Sequence, residues 1–473
     1  MFCQLETLRH CLPQSVKRTL NELPESLDET YERVMTNIKR GNQAHAYRML
    51  QCLAVATRPL SVAELAELLA FDFDAAKGGI PKLNPNWRLG DHEQAVLSTC
   101  SSLITVVPGS EFPIVQFSHF SVKEFLMSDR LASSTGDISQ YHISLTDAHT
   151  VLARACLGVL LRDSDVPNSS DSAPLASYAA RHWVAHAQVE NVASRVLGGM
   201  ETLFDPDKPY FESWVQLHDF DTIFSAGMSP DPESGARPLY YATLCGLHEL
   251  VGHLTLKYPQ YVSALGGILG TALHSASHEG HLLAVRTLLL HGVGVNVRGY
   301  AERTPLMMAS SNGHRDVVQC LLDNGANVNL RASNNDTSLC YAARSRHKDV
   351  VRVLLEHSAD VNAMGATGTA IHNALVEYYL PRRAKGGLLP VVQLLLGHGA
   401  NPNAQDIYHG ETPLHQVARP GLESGLDLAR VLLDHGADVD VKDNNGQTPL
   451  QMALKYGEVE IAQLLSDFRS GRA

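Results

Sequence analysis

Histidines spaced four apart are the first candidates for chemistry in this chain of 473 residues. His182 and His186, and likewise His274 and His278, set two imidazoles on one helical face, a spacing used by some zinc sites. Neither pair has the glutamate beside its first histidine that a His-Glu-x-x-His metalloprotease requires, and structural zinc takes four clustered ligands. The eight cysteines are Cys3, Cys11, Cys52, Cys100, Cys156, Cys245, Cys320 and Cys340. None forms a Cys-x-x-Cys pair, and most lie in apolar helical surroundings, as free thiols of a reducing compartment do. No Gly-x-x-x-x-Gly-Lys-Ser/Thr loop occurs to cradle phosphates. Gly78-Gly79 and Gly386-Gly387 are loop glycines without the Lys-Ser/Thr. Gly-x-Ser-x-Gly is absent as well. The expectation is a protein without catalytic residues, metal or cofactor, and therefore not an enzyme.

The element that carries His274 repeats. Thr271-Ala272-Leu273-His274 returns as Thr304-Pro305-Leu306-Met307, Thr337-Ser338-Leu339-Cys340, Thr369-Ala370-Ile371-His372, Thr412-Pro413-Leu414-His415 and Thr448-Pro449-Leu450-Gln451, after Arg237-Pro238-Leu239-Tyr240. The steps are 34, 33, 33, 32, 43 and 36 residues. Each tetrapeptide opens a short apolar helix. A second helix follows and ends in Leu-Leu, as at Leu321-Leu322 and Leu354-Leu355, and then comes Gly-Ala-Asx-Val-Asx or a variant, as at Gly325–Asn329. Threonine caps the first helix, proline suits its first position, and glycine at positive φ stops the second. One helix pair cannot bury its own apolar stripe, so neighbouring units must stack. This pattern resembles the ankyrin repeat. It implies an α-solenoid that binds other proteins, in which His274 and its equivalents build the scaffold. About seven units over residues 235–468 exceed the roughly three a solenoid needs to fold alone. Glu458, Glu460, Gln463 and Ser466 are expected to give the last unit a polar cap.

Net charge is −12, carried mostly by the first half, and there is no Lys/Arg run for nucleic acid. No apolar stretch approaches the roughly 18 residues of a membrane span, and the N-terminus lacks the plan of a secretory signal. With the free thiols, these features lead to the expectation of a protein of the cytosol or nucleus, the cytosol preferred.

Residues 1–45 read as helical. Two helices split at Arg58-Pro59-Leu60 come next, the second opened by a Ser61/Glu64 capping box. A loop rich in Gly, Pro and Asn runs from about 77 to 90, and a helix spans 93–102. Leu103–Val107 and Ile114–Phe117 then form a hairpin. Three helices and a hairpin have the order of a winged helix. No Lys or Arg stands between Arg88 and Lys123, the span of its reading helix and wing, so it is expected to pack against protein rather than read DNA. The fold class is mainly α. The boundaries are a helical segment over 1–45, a winged-helix-like domain over 46–130, a helical linker domain over 131–234, and ankyrin repeats over 235–468.

Leu23-Pro24-Glu25-Ser26-Leu27-Asp28-Glu29-Thr30-Tyr31, Arg58-Pro59-Leu60-Ser61-Val62-Ala63-Glu64-Leu65, Phe117-Ser118-His119-Phe120-Ser121-Val122-Lys123-Glu124-Phe125-Leu126 and Pro174–Trp183 resemble segments of fungal NACHT–ankyrin proteins. These are STAND-type, NOD-like-receptor signalling ATPases. The resemblance covers the chain from about residue 2. It places an NTPase core before these motifs, and this sequence starts just after where that core would end. His119 would touch a nucleotide phosphate if such a core were supplied in trans; without one it packs at a helix start beside the wing.

Two functions from different classes remain. One is a non-enzymatic scaffold that binds a partner through the solenoid. The other is the regulatory or sensor part of a split or truncated NACHT ATPase. A decayed fragment without function is a third possibility. The long step of 43 residues places about ten extra residues inside the fifth repeat, at 377–387. Insertions in solenoids map to loops on one face, often a binding face. Tyr378, Tyr379, Arg382, Arg383 and Lys385 lie there, and Arg344, Arg346 and Lys348 fill the corresponding stretch one repeat earlier. Together they predict a basic patch for an acidic protein surface.

Overall fold

The computed structural model describes residues 26–76, 79–84, 87, 94, 96–97, 99, 102–109, 112–134, 138–162, 173–218, 237–376, 387–422 and 424–471. The chain forms two compact units, one through Phe220 and one from Asp221.

In the first unit α1 (Leu27–Thr36) starts at Ser26, whose Oγ accepts from the Glu29 N–H at 3.2 Å. After α2 (Gln43–Val55) and β1 (Leu60–Ser61), α3 (Val62–Leu69) opens on the expected capping box. Ser61 Oγ accepts from Glu64 N–H at 3.2 Å, and Glu64 Oε2 accepts from Ser61 N–H at 2.7 Å. Next come β2 (Phe71–Asp72), β3 (Lys82–Leu83), β4 (Ile104–Val107) and β5 (Ile114–Phe117). β4 and β5 are the hairpin expected from the sequence, and β1 joins them in a sheet of order β1-β5-β4. The Gly/Pro/Asn-rich stretch is not all loop: β3 pairs antiparallel with β2, Phe71 opposite Leu83. Two residues of strand carry too little pattern to be read locally. Most of 93–102 lies outside the described residues. Among the described residues six α-helices follow: α4 (Phe120–Leu126), α5 (Asp129–Ala132), α6 (Leu145–Leu160), α7 (Ala176–Ala187), α8 (Val192–Leu203) and α9 (Tyr210–Leu217). Trp183, Phe204, Phe211 and Trp214 form an aromatic core beneath α7–α9, with Phe204 and Trp214 ring centres 5.3 Å apart.

Among the described residues the second unit holds seven helix pairs. They are α10 (Arg237–Leu244) with α11 (His248–Lys257), α12 (Ala272–Glu279) with α13 (Leu282–Leu290), and α14 (Pro305–Asn312) with α15 (Arg315–Asp323). Then follow α16 (Ser338–Arg344) with α17 (Lys348–Glu356), α18 (Ala370–Leu375) with α19 (Leu388–Gly397), α20 (Pro413–Val417) with α21 (Gly425–Asp434), and α22 (Pro449–Tyr456) with α23 (Val459–Arg469). β6 (Leu265–Gly267) and β7 (Gly270–Thr271) form a small ribbon before α12. First helices stack on first helices and second on second, as the repeat requires. Thr304 Oγ1 accepts from Met307 N–H at 3.3 Å with Pro305 at the first helical position, the cap read from the sequence. Gly325, Gly399 and Gly436 take φ of 84°, 84° and 86° after the second helices.

Leu321 and Leu354 sit on the apolar seam at 0% exposure. Leu321→Ala and Leu354→Ala should each cost about 2–5 kcal/mol, read as a fall in the urea midpoint by far-UV ellipticity. A change under about 1 kcal/mol would remove these leucines from the core.

Candidate interaction surface

Three hydrogen-bond ladders hold the repeats together, and they decide which side chains remain for a partner. The first uses the histidine of the repeated tetrapeptide. In the second repeat His274 Nδ1 accepts from the Thr271 N–H at 3.2 Å, capping α12, while Nε2 donates to Arg303 O of the next repeat at 3.0 Å. His372 donates in the same way to Glu411 O at 3.1 Å, and His415 to Gln447 O at 3.0 Å. Both ring nitrogens are committed, which fixes a neutral tautomer, and burial pushes the His274 pKa down to about 4.

The second ladder runs along the turns between paired helices. His281 Nε2 donates to Leu244 O at 3.3 Å, His314 to His278 O at 2.8 Å, and His347 to Ser311 O at 3.2 Å. Gly313 makes room for it. Its φ is 79°, and a Cβ there would stand 2.6 Å from the His347 ring. The third ladder is asparagine. Asn296, Asn329, Asn362 and Asn403 each accept from one backbone N–H of the next repeat and donate to a carbonyl there, as Asn329 does to Asp360 N–H at 2.8 Å and Ser358 O at 3.2 Å. The sequence reading missed the second and third ladders. Their signal was available as a histidine following glycine, and an asparagine, at the repeat period.

The fourth repeat has cysteine in place of the histidine, and its seam is built differently. Asp336, with its side chain fully buried, accepts from Arg344 Nη2 at 2.7 Å, from Asn334 Nδ2 at 2.9 Å and from the Ala366 N–H at 2.9 Å. Arg344 also reaches Asn373 of the fifth repeat and lies over the Tyr341 ring. The same offset pairs Glu411 with Arg419 in the sixth repeat.

These contacts correct part of the predicted patch. Arg344 is held by Asp336 and Asn373. Arg346 is 6% exposed at φ 57°, where Gly280 and Gly313 stand in neighbouring repeats. Lys348, the first residue of α17, is exposed. The three do not form one open cationic surface, because Arg344 is drawn onto Asp336 and the turn after α16 buries Arg346. Tyr378, Tyr379, Arg382, Arg383 and Lys385 lie outside the described residues.

In the first unit the histidine pair is divided by its neighbours. His186 Nδ1 lies 2.8 Å from His149 Nδ1, and its Nε2 lies 2.9 Å from Tyr178 Oη. That hydroxyl accepts from Thr57 N–H at 3.1 Å. Burial first, then the His149 and His182 charges, push the His186 pKa down to about 3. His182 packs against the Tyr178 ring, the two tilted by 45° with centres 4.7 Å apart. His119 caps α4: its Nδ1 accepts from Ser121 N–H at 3.3 Å, and the exposed ring rests on Phe120. Among the described residues no cluster of three His, Cys, Asp or Glu could hold a metal ion.

Stacked helix pairs joined by histidine and asparagine ladders define a mainly helical solenoid of ankyrin repeats, preceded by a winged-helix domain. Residues 239–332, 273–365 and 382–471 match the family model described as ankyrin repeats (3 copies), and residues 31–136 match that of the GPI inositol-deacylase winged helix domain. The chain is 30% identical over 296 residues to azaphilone pigments biosynthesis cluster protein L of Monascus ruber, covering 58% of this chain and 61% of that protein. It thus spans about three fifths of the length of that relative. The mouse B-cell lymphoma 3 protein homolog is 44% identical over 73 residues, 15% of each chain. The solved ankyrin repeat domain of Bcl-3 is 26% identical with a TM-score of 0.42, covering 50% of this chain and 100% of that one. No helix among the described residues is long and apolar enough to cross a membrane.

Proposed function

We propose that this chain is a non-enzymatic cytosolic scaffold whose ankyrin solenoid holds a protein partner with an acidic surface. One observation carries the reading. The recurring histidines, the residues best suited to proton transfer, are spent tying one repeat to the next, so the repeats offer surface rather than chemistry. The contact site proposed is the inserted loop of the fifth repeat, with Tyr378, Tyr379, Arg382, Arg383 and Lys385, flanked by the exposed Lys348. Nucleic acid and membrane are not the partners of this site.

Replacing Arg382, Arg383 and Lys385 together by serine should leave the thermal midpoint of the full chain nearly unchanged. It should weaken capture of the partner recovered with the unaltered chain, with the loss larger at low salt, because exposed charges are screened. Equal capture at low salt removes the loop from the site.

A second reading is supported by the winged-helix match and by the motifs at Arg58–Leu65 and Phe117–Leu126. In it the chain is the regulatory part of a NACHT-type ATPase, working with an NTPase core in trans. Association with such a core that requires ATP and is lost in His119→Ala favours this reading over the scaffold.

A further inference from the structure

Gly158 lets the β2–β3 ribbon lie directly on α6. A Cβ there would stand 2.7 Å from Pro81 O and 2.8 Å from the Phe71 ring. Arg154 is one turn earlier on the same face of α6, so it meets the segment between the two strands. Its Nε donates to Gly79 O at 2.7 Å, and its guanidinium lies 5.6 Å from the Phe73 ring centre. Arg48 of α2 lies 5.1 Å from the same ring centre. His45 is one turn before Arg48 and sits edge-on to Trp87, ring centres 6.3 Å apart. Arg48 and Asp74 are the charges that face it.

Three basic side chains from two helices thus gather around one aromatic ring, and the charges do not balance. Among the described residues Asp74 is the one carboxylate ion-paired with them. It accepts from Arg48 Nη2 at 2.6 Å. Asp72 Oδ1 sets the turn that places it, accepting from the Asp74 and Ala75 N–H groups at 3.2 and 2.9 Å. The Asp74 side chain is 82% exposed, so it neutralises Arg48 only weakly. Arg154 has no carboxylate among the described residues, and its Nη2 finds no acceptor there. Burial first, then the Arg48 charge, lowers the pKa of both Arg154 and His45. Two guanidiniums face one carboxylate, an excess of one positive charge before His45 takes a proton.

We propose that His45, Arg48 and Arg154 form a binding site for the phosphate group of a phosphate monoester. Guanidinium forks match phosphate oxygens, and Phe73 holds both forks near its ring while their donor edges remain for a ligand. A phosphate ester carries close to two negative charges, enough to engage both guanidiniums, with the imidazole as a third donor. Asp74 occupies the place of the anion in the free protein, so the ligand competes with it for Arg48. The site belongs to the first unit and does not depend on the partner proposed for the solenoid.

Titrating the full chain with inorganic phosphate in a chloride buffer tests this. Binding is read by broadening of the phosphorus NMR line and by the emission of the exposed Trp87, since Trp183 and Trp214 are fully buried. Saturable binding is expected. Arg48→Gln and Arg154→Gln should each weaken it about tenfold, the loss of one charge-assisted hydrogen bond. Asp74→Asn should tighten it, because the competing carboxylate is gone, and damage to the fold cannot produce a gain. Arg195→Gln, at an exposed ion pair of α8, should change nothing. N-acetyl-phosphoserine amide and glycerol phosphate then separate a partner's phosphorylated side chain from a small metabolite, the tighter of the two naming the source. Phosphate that does not bind saturably, binding unaltered by Arg154→Gln, weaker binding in Asp74→Asn, or failure of both esters to bind overturns the proposal.

Discussion

Lowering the pH from 7 to 4 should strip both units of much of their stability, through buried neutral histidines. His274 has its pKa held near 4 and His186 near 3, both chiefly by burial. In the unfolded chain each titrates near 6.5. The unfolded state therefore takes up protons first, and stability rises with pH across this window. Their contribution is whole above pH 6.5 and is lost as pH falls toward the folded values. For His274 the difference amounts to about 3 kcal/mol. His186 lies against His149, whose pKa burial also lowers, so those two titrate as one pair in the same direction. His372, His281 and His314 are shifted in the same direction by burial. The measurement is the urea midpoint as a function of pH, followed by tryptophan fluorescence and by ellipticity. All three tryptophans, Trp87, Trp183 and Trp214, lie before residue 221, so fluorescence reports the first unit. His274→Gln keeps a cap, as Gln451 does in the seventh repeat, and should flatten the slope seen by ellipticity. A midpoint that does not move between pH 7 and 5 would falsify the assignment.

Asp336→Ala is expected to be the most damaging single change in the solenoid. It strands Arg344, whose side chain is 19% exposed, beside an emptied acceptor, and it removes the partner of the Ala366 N–H. Breaking a buried pair by deleting one member costs about 3–5 kcal/mol. Replacing both members by apolar residues of similar size, Asp336→Leu with Arg344→Met, should recover most of that loss, because no uncompensated charge remains. The damage should be local as well as large. The seam between the fourth and fifth repeats has this network where the second, fifth and sixth repeats have an imidazole, so hydrogen exchange should quicken in α16–α18 before it does in α12–α14. A loss below about 1 kcal/mol, or a double variant no better than the single one, would mean the pair does not hold the seam.

Repeats, caps and domain order were legible in the sequence because they depend on local spacing. Thr304 with Pro305, Ser61 with Glu64 and Gly325 at positive φ are each decided within four or five residues of chain. The hairpin at Ile104–Phe117 was legible for the same reason. So was the scaffolding role of the tetrapeptide histidine, since a residue recurring at a structural period serves the structure.

What tertiary structure alone decided is where long side chains go. Arg344 and Arg346 read as surface cations from their charge and their place after an apolar helix. One is drawn back onto Asp336, eight residues earlier, and the other is turned inward at a position where neighbouring repeats place glycine. Asn373 and Ala366, supplied by the next repeat, complete that arrangement, and no local pattern links them to Asp336. Leu454 shows the converse. Its spacing marks it as a seam residue like Ala418, and only the stacking shows it facing solvent. The sequence by itself determined the repeat, its capping and the order of domains, because these are set by the periodicity of neighbouring residues. The fold decided which cations are paired and which leucines are covered, because both depend on where a side chain turns and on what the next repeat, about 30 residues onward, sets against it.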